Sequence, residues 1–289
     1  MKALIVGAAG QVGRALAACT PAGVAAVALS RESLDVTDPH AVASAVKAHA
    51  PDLLFNAAAY TAVDQAEREI EAAYRLNRDA PTHLARAARA CGARLVHIST
   101  DFVFDGRQGI AYRPSDAPNP LSVYGSSKLA GEQAVSQEAP DALIVRTAWV
   151  YGVHGGNFVK TMLRLMVERE QVLVVADQIG TPTHAASLAL ALWALAGRGV
   201  RGLHHFTDAG SASWYDFAVA IQEEALCLGL LEKAVPVLPI TSGEYPTPAK
   251  RPPFSLLDKS QTYALIGPAS HWRSELRTML RALRDQPNG

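Results

Sequence analysis

A doubly wound parallel α/β sheet with a smaller α/β lobe is the fold this sequence predicts, on three observations. The chain opens on a continuous apolar run, Ala3-Leu4-Ile5-Val6, that ends at a glycine-rich turn, as a strand buried on both faces of a parallel sheet does. Apolar runs then alternate with helical patterns through residue 147, the βαβα order of a parallel sheet. At 289 residues the chain also exceeds the usual single-domain size, so a second, smaller unit is expected beside the sheet.

Composition narrows the classes. Hydrophobic residues are 49% and charged residues 19% of the chain, which is a globular and not a disordered balance. Acidic and basic residues number 27 each and no lysine-arginine block occurs, so neither nucleic acid nor an anionic membrane is expected as a partner; an anionic small molecule stays open. Cys19, Cys91 and Cys227 are scattered without C-x-x-C spacing, which argues against a disulfide framework or a cysteine metal site and fits a reducing cytoplasm. The apolar start is too short for a signal peptide, and the most apolar segment, residues 187–196, falls short of the ~20 residues a bilayer span needs.

The first strand leads into Gly7-Ala8-Ala9-Gly10-Gln11-Val12-Gly13, with a helix beginning near Gln11. Glycines at such a strand-to-helix turn let a pyrophosphate approach the amides of the helix N-terminus, so this turn reads as a dinucleotide site. The second strand, residues 24–29, ends Leu29-Ser30-Arg31, where an acidic residue would favour NAD and an arginine accommodates the 2′-phosphate of NADP. The expected cofactor is NADPH with NADH tolerated, Glu32 tempering the preference. Further on, Asp38 reads as a helix N-cap before Pro39.

A third strand, residues 52–55, runs into Asn56-Ala57-Ala58-Ala59-Tyr60-Thr61, small residues that leave room for a ligand or for tight packing. Helical patterns follow over 63–76 and 81–90, then a fourth strand, 94–98, ends Ser99-Thr100-Asp101. Ligands of such sheets sit beyond the carboxyl ends of the strands, which places these hydroxyls and this carboxylate where chemistry occurs. After a long connection comes Tyr124-Gly125-Ser126-Ser127-Lys128, opening a helix before the fifth strand, residues 141–147. Spacing of i, i+4 puts Tyr124 and Lys128 on one helix face. A phenol titrates near ~10, and a fixed positive charge beside it would lower that value toward neutral acid chemistry.

Beyond Tyr151-Gly152 a helix (157–168), a strand (172–176) and a helix returning to the sheet (187–196) are expected, then proline-jointed pieces including His204-His205-Phe206 and a helix over 214–226. This divides the chain into a dinucleotide-binding unit, 1–150 with a returning segment of about 171–199, and a substrate-binding lobe of 151–170 and 200–289, closed by a frayed tail at 285–289. Adjacent residues of a strand point to opposite faces, so His204 and His205 cannot ligate one metal and read as structural. His154 lies in a glycine-rich loop and its role is open. No residue spacing demands a metal, and the sequence neither requires nor forbids a homodimer or a Mg²⁺ at a subunit contact.

These motifs resemble the extended short-chain dehydrogenase/reductase family, and most closely its dTDP-4-dehydrorhamnose reductase branch. The resemblance rests on Gly7-x-x-Gly10-Gln11-Val12-Gly13, on residues 56–64 and 99–106, and on Tyr124-Gly125-x-x-Lys128-x-x-Gly131-Glu132. Arg146-Thr147-x-Trp149-Val150-Tyr151-Gly152, Asp177-Gln178-x-Gly180-Thr181-Pro182-Thr183 and Arg251-Pro252-x-x-Ser255-x-Leu257-Asp258 extend it over nearly the whole chain. It implies reduction of the C4 ketone of a dTDP-4-dehydro-6-deoxysugar by NAD(P)H, serving cell-surface polysaccharide. Tyr124 would donate the proton, Lys128 would hold the nicotinamide ribose and depress the tyrosine pKa, and Thr100 would bind the carbonyl or tune Tyr124. By the same resemblance Gly10, Gln11 and Val12 contact pyrophosphate, Asp35 and Val36 the adenine side, Ala59, Tyr60 and Thr61 the middle of the cofactor, and Asp101 and Trp149 the sugar nucleotide. Trp149 can equally be a core aromatic.

Two departures stand out: Phe102 occupies a position that is more often tyrosine, and Ser187 one that is often aspartate, where serine can still cap the helix. Two other readings stay open. An epimerase or dehydratase of the same fold would want more acidic groups beside Thr100 than Asp101 alone, and a cofactor-sensing regulatory subunit would not need to keep both Tyr124 and Lys128.

Overall fold

The order in which the strands hydrogen-bond decides where a ligand can sit. The computed structural model describes residues 1–286, and the rest of the expected tail, 287–289, lies outside the described residues. Its first half runs β1 (Lys2–Val6), α1 (Gln11–Ala18), β2 (Ala25–Leu29), α2 (Pro39–His49), β3 (Leu53–Asn56), α3 (Val63–Ala66), α4 (Ile70–Tyr74), α5 (Ala80–Cys91), β4 (Arg94–Thr100), α6 (Val123–Glu138) and β5 (Leu143–Thr147). The second half runs β6 (Val150–Tyr151), α7 (Phe158–Glu168), β7 (Val172–Val175), β8 (Ile179–Gly180), β9 (Thr183–His184), α8 (Ala185–Gly197), β10 (Gly202–His205), β11 (Ala212–Ser213), α9 (Trp214–Cys227), β12 (Val237–Ile240), α10 (Ser260–Ile266) and α11 (Trp272–Arg284). No helix among the described residues is long and apolar enough to cross a membrane.

The main sheet has the order β10-β5-β4-β3-β1-β2, every pair parallel. Its central strands are buried on both faces, as the unbroken apolar runs require, whereas the edge strand β2 is half exposed. Helices α1 and α8 pack one face, with Trp193 Nε1 donating to the Leu16 carbonyl at 2.9 Å; α2, α5 and α6 cover the other. The doubly wound sheet is therefore as expected. Asp38 caps α2 through its carboxylate, with Pro39 in the first turn.

Three local expectations are corrected. Residues 202–205, assigned from sequence to the smaller lobe, enter the main sheet as its sixth strand; two histidines in a four-residue strand hide the apolar run that would have announced it. Residues 172–175, assigned to the returning segment, pair instead with β12 in a separate two-stranded parallel sheet packed on α9. The helix expected over 63–76 is broken into α3, α4 and a π-helical turn, Arg75–Asp79, that runs directly into α5.

The π turn has a tertiary reason. Asn77, buried within it, accepts from the Tyr60 amide at 2.8 Å and donates to the Tyr60 carbonyl and to Ser127 Oγ of α6. There α6 comes so close that a Cβ on Gly131 would lie 2.0 Å from the Asn77 carbonyl oxygen, so only glycine fits. The buried face of α6 is Gly125, Ser127, Lys128, Gly131, Glu132 and Val135, small and polar rather than apolar. Glu132 holds it to the sheet: its carboxylate takes Arg146 Nε at 2.9 Å and Nη2 at 2.7 Å from β5, and Ser99 Oγ from β4.

Breaking a buried, hydrogen-bonded ion pair strands a charge. Arg146→Leu or Glu132→Leu is expected to lower stability by about 3–5 kcal/mol, and the double substitution by less than the sum of the two singles. Urea denaturation of the three variants measures this, and additive losses would show that the two charges do not support each other.

Candidate active site

The sheet order reverses between β1 and β3, so the crevice beyond their carboxyl ends is the expected ligand position. Gly7 ends β1 at φ +79°, where a Cβ would sit 2.5 Å from the Ala58 nitrogen. Gly13 lies against the same turn, a Cβ there meeting the Gly7 carbonyl oxygen at 2.2 Å. Gly10 caps α1 with no side-chain bond, no acidic residue occupies the first turn, and the amides of Gln11, Val12 and Gly13 have no backbone acceptor among the described residues. Unpaired amides at an uncharged helix N-terminus fit a pyrophosphate. The Gln11 side chain turns to the loop after β6, its Oε1 accepting from Asn157 Nδ2 at 3.1 Å.

At the other end of the crevice, Ser30 and the exposed Arg31 follow β2. The Asp35 carboxylate accepts from the Thr37 hydroxyl at 2.7 Å and the Thr37 amide at 2.9 Å, which hold it below its usual range, with Arg31 and Arg75 adding to the effect. Val36 turns its side chain into the core. Ala59, Tyr60 and Thr61 follow β3; the Tyr60 phenol donates to Glu69 at 2.8 Å and points away from its own amide, which Asn77 holds.

Tyr124 sits in the first turn of α6, whose N-cap Ser122 accepts from the Gly125 amide at 3.2 Å. The Phe102 ring meets it edge-on, centroids 5.4 Å apart, so the residue that departs from the resembled pattern packs against the phenol. Thr100 Oγ1 donates to Asp101 at 3.0 Å and accepts from the Phe102 amide at 3.2 Å. Lys128 is buried and its ammonium donates to the Ile98 carbonyl at 2.6 Å. The structure thus gathers Thr100, Asp101, Tyr124 and Lys128 around the carboxyl end of β4.

Burial sets the protonation states here. It pushes the Tyr124 phenol up to about 12, with Thr100 opposing the rise and Asp101 adding to it. Lys128 is itself lowered to about 8 by burial, against the pull of Glu132, and its proton faces the Ile98 carbonyl. Desolvation is the largest cause of both shifts. The consequence is a tyrosine held in its protonated form. Asp101 is raised to about 6 by burial, with Ser255 and Thr100 drawing it back.

Trp149 adopts φ +48°, a conformation an L-residue rarely takes. Its ring stacks on Trp214 at 3.6 Å and 8°, while its other side lies on Gly180, where a Cβ would be 2.5 Å from Cε2. Both faces are covered, so this half-exposed indole can offer a ligand only its edge. Trp214, held by its Nε1 donating to Gln178 Oε1 at 3.2 Å, was not singled out from sequence because it begins an apolar helix. Asn77 was missed for a similar reason, since nothing in its local pattern separates it from a surface position, while Ser127 and Ser255 stand within recognised motifs that give neither a role.

Other polar residues lie apart from this cluster. His204 and His205 are buried and lie 3.1 Å from the carbonyls of Arg201 and Tyr112, and burial lowers the pKa of both, His205 to about 3. His154 is exposed in the loop that Gln11 binds. Ser187 does not cap α8 but donates to Asp208. Among the described residues no group of three or more His, Cys, Asp or Glu side chains could hold a metal ion.

A family model described as the RmlD substrate binding domain matches residues 1–285. The dTDP-4-dehydrorhamnose reductase of Mycobacterium tuberculosis is 46% identical over 288 residues, covering 96% of this chain and 92% of that protein. The chain belongs to the dTDP-4-dehydrorhamnose reductase family. The reductase of Aggregatibacter actinomycetemcomitans is 42% identical over 96% of this chain and 97% of its own. Among solved members, the Bacillus anthracis reductase in complex with NADP superposes with a TM-score of 0.91 at 37% identity, covering 97% of this chain and 99% of that one. The Clostridium acetobutylicum reductase gives 0.92 at 39%, covering 98% and 100%.

The raised carboxyl of Asp101 gives stability a pH signature. The folded state holds that proton more tightly than the unfolded chain, so its stabilising contribution is complete below the ordinary value of 3.8 and is lost as pH climbs through about 6. Asp101→Asn removes the titration, so its stability relative to wild type should rise by roughly 2–3 kcal/mol between pH 4 and pH 7. Urea midpoints at both values test this, and a constant difference would refute a buried charge.

Proposed function

We propose that this protein reduces the C4 ketone of dTDP-4-dehydro-6-deoxy-L-mannose (dTDP-4-dehydrorhamnose) with NADPH, forming dTDP-L-rhamnose for polysaccharide assembly. The observation that carries the reading is the convergence of Thr100, Tyr124 and Lys128 at the carboxyl end of β4, beside an open helix N-terminus, in a chain of this family.

A bound NADPH supplies the hydride. The amides of Gln11, Val12 and Gly13 hold its pyrophosphate, with the turn at Gly7 and Gly10 giving the phosphates access to the backbone. Ser30 and Arg31 lie where the adenosine ribose ends; the absence of a carboxylate there and a guanidinium for the 2′-phosphate support NADPH, with NADH tolerated. The cofactor bound in the Bacillus anthracis relative agrees with that preference.

Tyr124 passes its phenolic proton to the C4 oxygen as C4 gains the hydride, so the ketone becomes a secondary alcohol and the tyrosine a phenolate. Lys128 then serves in two ways. Its ammonium binds the nicotinamide ribose, and its positive charge favours the phenolate left on Tyr124. Thr100, whose hydroxyl lies by the phenol, orients the carbonyl. Asp101 Oδ2 is buried without a partner and accepts a hydroxyl of the sugar, and the Trp149 edge borders the sugar nucleotide.

Loss of NADPH absorbance with dTDP-4-dehydrorhamnose tests the activity. Wild type should consume NADPH only when the sugar nucleotide is present, and its failure to do so would overturn the reading. Tyr124→Phe should lose at least about 100-fold in kcat while still binding NADPH. Arg31→Ala should lower the NADPH-to-NADH ratio of kcat/KM by about tenfold, the worth of one charge-assisted hydrogen bond, and an unchanged ratio would remove Arg31 from cofactor selection.

A further inference from the structure

Tyr124 stands in the first turn of α6, and the bonds that seat this helix lie further along it. Asn77 holds Ser127, and Arg146 and Ser99 hold Glu132, from the second turn onward. In the first turn the N-cap Ser122 accepts from the Gly125 amide, and a Cβ on Gly125 would lie 2.2 Å from the Phe102 carbonyl oxygen. The Val123 amide is taken by a residue 56 positions away, Glu67, whose Oε1 accepts from it at 2.8 Å. Among the described residues this is the only hydrogen bond to the backbone of residues 123–126 that comes from outside α6 and its cap.

A carboxylate there satisfies an orphan amide and meets the positive end of the helix dipole. Ser122 already caps that end through its own hydroxyl, so α6 does not need Glu67 in order to start. What Glu67 adds is an anchor: it ties the turn that carries the phenol to α3, which it follows directly.

α3 is in turn held from the other half of the chain. Asp64, one turn earlier, accepts from the Ala249 amide at 3.1 Å and from two guanidinium nitrogens of Arg251 at 3.0 and 2.8 Å. Arg251 also closes its own loop by donating to Thr247 Oγ1 at 2.6 Å. The segment continues through Pro252 and Pro253, which crowd Gly106 so closely that a Cβ there would lie 2.6 Å from Pro253 Cδ. It reaches Ser255, which bonds Asp101 beside Thr100. Residues 247–255 thus form a strap with one end on α3 and the other at the carboxyl end of β4.

We infer that Glu67 is a positioning residue for Tyr124 and that Asp64 and Arg251 act through it, so that the strap sets where the phenol meets the reacting carbonyl. The inference rests on the reduction proposed above and adds to it residues that reading does not use. Loss of the Glu67 bond leaves the first turn held only by contacts further along α6, and a misplacement of about 1 Å at a reacting group can cost up to about 100-fold in rate.

Steady-state kinetics with NADPH and dTDP-4-dehydrorhamnose, paired with NMR of protein isotopically labelled at its tyrosine Cζ atoms, test it; the Tyr124 signal is the one that Tyr124→Phe removes. Glu67→Ala should lower kcat by about tenfold, leave NADPH affinity within about twofold of wild type and shift the Tyr124 signal. Glu67→Gln, which keeps an acceptor for the Val123 amide, should hold kcat within about threefold of wild type and leave the signal in place. Asp64→Ala should lower kcat by about threefold on its own and no further when Glu67 is already alanine. A wild-type kcat with an unmoved signal in Glu67→Ala overturns the inference, as does an equal loss in Glu67→Gln, which would assign the effect to charge and not to position. Additive losses from Asp64→Ala and Glu67→Ala overturn the relay through α3. If wild type does not turn over the sugar nucleotide, the proposed reduction falls, and the Tyr124 signal by itself decides whether Glu67 holds the phenol.

Discussion

The buried pair of Glu132 and Arg146 holds the rest of the site together. Their side chains are 6% and 3% exposed, and with Ser99 they join α6 to the two strands at the centre of the catalytic end of the sheet. A helix whose buried face is glycine, serine, lysine and glutamate has little apolar surface with which to hold itself in place, so directional bonds decide its position. Arg146 lies over the Phe104 ring at 4.9 Å, and Ser127 and Gly131 seat the helix on the π turn. Tyr124 and Lys128 inherit their coordinates from these contacts.

Burial that makes those bonds strong also sets the protonation states. The same desolvation raises the Tyr124 phenol, raises Asp101 and lowers Lys128, pressing each toward its neutral form. A tyrosine in this environment stays protonated. Lys128 lies one helical turn away on α6, its ammonium bonded to the Ile98 carbonyl.

Segments from the second half of the chain reach the same region. Arg251 grips Asp64 through both terminal guanidinium nitrogens, at 3.0 and 2.8 Å, tying the proline-rich segment after β12 to the first turn of α3. Ser255 from the same segment reaches Asp101, and the Trp149–Trp214 stack stands on the lobe side of β5. Residues far apart in the chain are thus brought together by contacts between segments of the two halves.

Much was legible in the sequence. The apolar runs of β1, β3 and β5, the glycine turn before α1 and the Tyr124–Lys128 spacing follow from local rules, because a strand buried on both faces must be apolar and a phosphate turn must be small. The sequence by itself determined the doubly wound sheet, and it singled out the glycine turn before α1 and the Tyr124–Lys128 spacing on α6. Only the tertiary structure decided that residues 202–205 complete the sheet, that 172–175 leave it, that Asn77 sits in a π turn, and that Trp149 presents an edge. It alone also decided that burial raises the pKa of Tyr124. The reason is that strand partnership, close backbone approach and desolvation belong to the packing of segments distant in the chain, and no local pattern records them.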